Sequence, residues 1–145
     1  PVTPVRLWQG RFGSPVPDYY SDCYPSMFGY RRSYNGSAYD YFHTGLDFCG
    51  QVGTDLYAPA NGVVVFTDAM VVRGNATVID HGWGVYTAYG HQSEFLVSVG
   101  DHVEKGQLIG RVGETGRVSG PHLHWEVIVG GVQVDPLQWL TREFP

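Results

Sequence analysis

From Ala58 onward the chain is a series of short β-type runs cut by turn residues, and few folds accommodate that pattern. The runs are 62–67 (G-V-V-V-F-T), 76–80 (A-T-V-I-D), 85–89 (V-Y-T-A-Y), 107–112 (Q-L-I-G-R-V) and 122–129 (H-L-H-W-E-V-I-V). Turn signals stand at 60–62 (A-N-G), 73–75 (R-G-N), 80–84 (D-H-G-W-G) and 99–101 (V-G-D). β-Branched and aromatic side chains suit a pleated, half-buried surface, whereas Gly, Asn and Asp reach the backbone angles of tight turns. Connections this short join antiparallel neighbours, so the chain is expected to be mainly β: a compact antiparallel sheet or sandwich with little helix. Helical candidates are confined to 93–95 and 136–141, a turn or two each. Residues 1–42 are rich in Pro, Gly, Ser and Tyr without a clean period and read as an extended arm with long loops. The length of 145 residues fits one domain, and 43% hydrophobic content supports a core.

A net charge of −5 makes nucleic acid and anionic membrane surfaces poor partners. No apolar run approaches membrane-spanning length. The chain begins P-V-T-P, with neither an initiator Met nor a signal peptide, which is the look of a processed domain and leaves export open. Cys23 and Cys49 do not have zinc-finger spacing, and an oxidising compartment would permit a disulfide between them.

The histidines carry the chemistry. In a strand, His122 and His124 of H-L-H face the same way, with Cα atoms about 7 Å apart. His43 and Asp47 of H-T-G-L-D are four apart, about 13 Å along a straight strand, and Gly45 between them permits a bend. His91 follows in Y-G-H-Q-S. A catalytic zinc site needs three protein ligands and an open position for water, and neutral imidazoles beside it suit proton transfer. His43, Asp47, His91, His122 and His124 exceed three ligands by two, and spacing alone does not separate ligands from bases. His81 and His102, in Gly-rich turns, read as surface or hydrogen-bonding residues. Asp40 and Asp135 read as turn carboxylates, and Arg31 with Arg32 as a solvated pair.

Those residues sit in stretches that resemble the lysostaphin/LytM-type zinc metallopeptidases, endopeptidases of bacterial peptidoglycan. The matching stretches are 28–36 (F-G-Y-R-R-S-Y-N-G), 43–48 (H-T-G-L-D-F), 58–64 (A-P-A-N-G-V-V), 80–91 (D-H-G-W-G-V-Y-T-A-Y-G-H), 99–110 (V-G-D-H-V-E-K-G-Q-L-I-G) and 115–127 (T-G-R-V-S-G-P-H-L-H-W-E-V). Both the H-x-x-x-D and the H-x-H elements are intact. The resemblance implies a compact antiparallel β fold with the site in a loop-walled groove. It implies one Zn2+ per chain held by His43, Asp47 and His124, with His91 and His122 as catalytic bases for a zinc-activated water. It further implies an extracytoplasmic location and peptidoglycan stem peptides and cross-bridges as substrate, and a monomer is expected. An arm over 1–27 is expected to pack on a catalytic domain over 28–145. A Cys23–Cys49 bridge fits work outside the cytoplasm. Tyr34, Tyr39 or Tyr41 is a candidate hydrogen-bond donor to the oxyanion. Asp55 stands where the family often has Pro.

Rival readings are weaker. A non-catalytic module of the same fold, binding the wall or activating another hydrolase, would typically have lost ligands, and none is lost here. A biotinyl or lipoyl carrier resembles 58–64 and 99–107, yet the single lysine, Lys105, is not at a hairpin tip and five site residues would go unexplained. A wall amidase or carboxypeptidase shares the chemistry but not this motif set.

Overall fold

The computed structural model describes residues 5–142 except 26, 28–30, 34–39, 43, 44, 72 and 117–119, and only the backbone of 31–33 and 40–42. A 3-10 turn, Asp18–Tyr20, is followed by strands β1 (Arg31–Ser33), β2 (Asp40–Phe42), β3 (Leu46–Cys49), β4 (Asp55–Tyr57), β5 (Gly62–Met70) and β6 (Gly74–Asp80). Then come β7 (Val85–Phe95), β8 (His102–Val103), β9 (Leu108–Val112), β10 (His122–Val129), β11 (Val132–Val134) and helix α1 (Pro136–Thr141). β1 and β2 form a separate ribbon, and the other strands form one antiparallel sheet ordered β11-β10-β7-β6-β5-β8. β3 shares the edge of β10 with β11, while β9 pairs with both β4 and the far half of β7.

The expected runs are all strands, and several extend further. The region 93–95 is not helical; it continues β7, because Glu94 and Phe95 pair with Arg111 and Gly110 of β9. Glu94 of β7 and Asp55 of β4 reach Arg111 of β9 from its two sides, which gives Asp55 a surface ion pair where a Pro would have none. Helix α1 forms where expected, with Pro136 in its first turn and the Asp135 side chain accepting from the Leu137 N–H at 3.0 Å.

The core face collects Leu46, Phe48, Leu56, Val64, Ile79, Tyr89, Ile109, Leu123 and Trp125, all fully buried. Each large aliphatic or aromatic side chain removed from water there contributes roughly 1.5–3 kcal/mol. The N-terminal segment is part of this body. Trp8 packs edge-on against Trp139 of α1, and Phe12 packs against the same ring at a tilt. The Leu7 N–H bonds to the His81 carbonyl, and the Tyr57 N–H to the Pro15 carbonyl. Cys23 and Cys49 are joined by a disulfide, with Cα atoms 5.4 Å apart. No helix among the described residues is long and apolar enough to cross a membrane.

Candidate active site

Strands β3 and β10 place Leu123 opposite Phe48, His124 opposite Asp47 and Trp125 opposite Leu46. With side chains alternating between faces, Leu46, Phe48, Leu123 and Trp125 enter the core while Asp47, His122, His124 and Glu126 share the other face. There His124 Nδ1 lies 2.9 Å from Asp47 Oδ1, and His122 Nε2 lies 3.6 Å from Asp47 Oδ2. Gly45 has a reason beyond a bend. A Cβ on it would meet the Trp125 carbonyl oxygen at 2.5 Å and His124 Cε1 at 2.9 Å, so the chain entering β3 lies against β10 only without a side chain.

His91 reaches this face by a different device. Strict alternation from the buried Tyr89 would point it into the core. Between the pairs Thr77–Tyr89 and Asn75–Gln92, however, β7 carries one more residue than β6. This is a β-bulge, which re-aims the side chains around it. His91 lies within it at φ 60°, a conformation costing a non-glycine residue on the order of 1 kcal/mol. Its N–H donates to the Arg73 carbonyl at 2.6 Å, which holds the distortion in place. The result brings the His91 ring 5.0 Å from that of His122 and 6.1 Å from that of His124.

Hydrogen bonds fix the tautomers. His91 Nδ1 lies 2.7 Å from the Thr115 carbonyl and His122 Nδ1 lies 3.0 Å from the Gly120 carbonyl. A carbonyl only accepts, so each Nδ1 carries the proton, and each neutral ring keeps an unprotonated Nε2. Burial, assisted by repulsion from His122 and His124, pushes His91 down to about 4, so it is uncharged at neutral pH. His124 behaves oppositely in the metal-free chain. Burial opposes its charge, but hydrogen bonds to Asp47 and Glu126 outweigh burial and raise it to about 9. Glu126 is 1% exposed, yet bonds from His124 and Arg73 overcome burial and hold it well below the ordinary carboxylate range.

The donor chemistry fits zinc as far as the described residues go. Carboxylate oxygen and imidazole nitrogen are both zinc ligands, and two donors of one tetrahedral ion stand roughly 3.3 Å apart. Asp47 Oδ1 and His124 Nδ1 already stand 2.9 Å apart. The third expected ligand, His43, lies outside the described residues. Among the described residues no three His, Cys, Asp or Glu side chains complete a metal site. Tyr34 and Tyr39 also lie outside, as do the side chains of Arg31, Arg32, Asp40 and Tyr41.

His81 is a hydrogen-bonding residue, though wholly buried rather than in a surface turn, and His102 is exposed on β8. Glu126 and Arg73 join this face beyond the five residues expected from the sequence. Glu126 was open to discovery, since H-x-H-x-E continues the same period of two. Arg73 was not: it stands 53 residues from Glu126 in sequence, and nothing local announces the pairing.

Comparison with known proteins bears on this geometry. The profile of Peptidase family M23 matches residues 41–136. The peptidoglycan DD-endopeptidase ShyA of Vibrio cholerae is 47% identical over 96 residues, which is 66% of this chain and 22% of that protein. The chain therefore spans about a fifth of the length of that relative. A zinc-containing peptidase from Vibrio cholerae superposes with a TM-score of 0.85 at 32% identity, covering 95% of this chain and 41% of the other. The catalytic domain of lysostaphin from Staphylococcus simulans superposes with a TM-score of 0.75 at 29% identity, covering 86% of this chain and 94% of the other. The matched segment contains β3, the β7 bulge and the whole of β10, and the chain belongs to peptidase family M23.

Proposed function

We propose that this chain is the catalytic part of a zinc-dependent endopeptidase that hydrolyses peptide cross-links of bacterial peptidoglycan outside the cytoplasm. The observation that carries this reading is the convergence of Asp47, His91, His122 and His124 on one sheet face, two of them paired at 2.9 Å and a third re-aimed by a bulge. In this reading residues 1–27 are an arm packed on a catalytic domain over 28–145. His43, Asp47 and His124 would hold one zinc ion. When bound, zinc would supply Lewis acidity, polarising the scissile carbonyl and making water acidic near neutral pH.

The chain's own residues would do the rest. His91 is uncharged at neutral pH with its proton on Nδ1, so Nε2 is the atom that accepts a proton from attacking water. His122, held the same way by the Gly120 carbonyl, would orient that water and share the proton. As the C–N bond breaks, the proton passes to the leaving amine. The Thr115 and Gly120 carbonyls fix both rings, so neither turns away during the transfer. The DD-endopeptidase name of the Vibrio relative supports a cross-link between D-centres as the bond cut.

Zinc-loaded protein incubated with purified sacculi should release soluble muropeptides, read by mass, while casein stays intact. Efficient casein cleavage with intact sacculi would overturn the substrate. Sacculi bound without any product would favour a non-catalytic wall-binding module instead.

A further inference from the structure

The His124 ring is gripped from both ends. Nδ1 faces Asp47 at 2.9 Å, and Nε2 faces Glu126 Oε2 at 2.9 Å. Glu126 is almost fully buried and is itself held by two bonds from Arg73, Nε to Oε2 at 2.5 Å and Nη2 to Oε1 at 3.1 Å. Arg73 comes from the turn that leads into β6, and its carbonyl is the group that takes the His91 N–H. The start of β6 is tied to the same neighbourhood. The Asn75 N–H donates to Thr115 Oγ1 at 3.0 Å, and the Thr115 carbonyl is the acceptor for His91 Nδ1.

We propose that Arg73 and Glu126 are a positioning pair for the metal centre, fixing the tautomer and orientation of His124 so that Nδ1 is presented beside Asp47. This rests on the zinc reading above. A neutral imidazole has one N–H, so a ring that gives Nδ1 to a metal carries its proton on Nε2. Glu126 accepts that proton, which orients the ring and makes Nδ1 a better donor. Arg73 occupies both Glu126 oxygens in a fork that a lysine would not reproduce. It thereby keeps Glu126 on Nε2 rather than letting it swing toward the metal as a competing ligand. Because Arg73 also fixes the His91 backbone, one residue sets the relation between a ligand and a base.

The test is zinc affinity by competition with a chromophoric chelator, joined to the visible spectrum of the cobalt(II)-substituted protein. Wild type, Glu126→Gln, Arg73→Met and Arg73→Lys are compared. Glu126→Gln keeps shape and an acceptor but loses the charge, so it decides the matter even if Arg73→Met fails to fold. Loss of a group in this position typically weakens metal binding tenfold to a hundredfold. We expect that loss for Glu126→Gln and Arg73→Met with a shifted cobalt spectrum, and partial recovery in Arg73→Lys. Wild-type affinity and an unshifted spectrum in Glu126→Gln would overturn the pair's role while leaving the zinc reading intact. Wild-type protein that takes up no zinc would overturn both.

Discussion

Acid should destabilise this protein through His81, which stands apart from the proposed metal ligands. Its Nδ1 lies 2.8 Å from the Asn61 carbonyl and so must be protonated, leaving Nε2 to accept from Thr87 Oγ1 at 2.8 Å. Thr87 in turn is bonded to Tyr89 OH at 3.2 Å, and the Phe12 ring covers the imidazole at 5.0 Å. A second proton would sit on a wholly buried ring and force the Thr87 hydroxyl to turn from donor to acceptor. Burial dominates and lowers His81 from 6.5 to about 4. The folded state thus binds fewer protons than the unfolded state between those values. The contribution is complete above pH 6.5 and is lost as the pH falls toward 4. At about 1.4 kcal/mol per pKa unit, the loss totals about 3 kcal/mol, with about 2 kcal/mol gone by pH 5. Urea unfolding of the metal-free, disulfide-intact protein, run from pH 7.5 to 4.5 beside His81→Gln, isolates this term because all other titrations are shared. The variant should start less stable and fall more gently by that amount. Parallel curves would refute the assignment, as would a wild-type His81 ring resonance titrating near pH 6.5.

Four further outcomes follow from the geometry. His124→Ala and Asp47→Ala should lose stoichiometric zinc in elemental analysis, whereas His91→Ala and His122→Ala should keep it and lose about a hundredfold to ten-thousandfold in turnover. With His124 raised to about 9, zinc must displace its proton, so affinity by competition titration should rise about tenfold per pH unit between pH 7 and 8.5. A flat profile would remove His124 from the ligand set. Gly45→Ala forces a Cβ against the Trp125 carbonyl and should cost about 1–3 kcal/mol in denaturant unfolding, with weaker zinc binding. Alkylation of denatured, unreduced protein should add no mass at Cys23 or Cys49, and reduction should lower stability by about 3 kcal/mol.

Much of this was legible in the sequence because a period of two is a local signal. His122–Val129 declared both its strand and its two faces, and the opposed faces of β10 are those expected. The same logic failed at β3 and β4, which are short and sit among Gly and polar residues; their pairing with β10 and β9 is a tertiary effect that no window of that length records. The apparent helical turn at 93–95 was overridden by the β9 ladder for the same reason. The placement of His91 is the clearest gap. Its motif pointed to the site, but strand alternation would have sent it inward, and only the extra residue opposite β6 explains where it goes.

That extra residue has a consequence for anyone who edits this strand. Before it, the odd-numbered Thr87 and Tyr89 are fully enclosed; after it, the even-numbered Gln92 is. β7 therefore changes parity partway along, much as an inserted nucleotide shifts a reading frame. A deletion of Gly90 would remove the bulge, keep every downstream partner on its own face, and move His91 into the Gly90 register opposite His124, without the left-handed backbone that now sets its ring. A loop graft or chimera that kept each site residue but changed the count between Tyr89 and Gln92 would carry an intact motif without the bulge that sets the His91 ring.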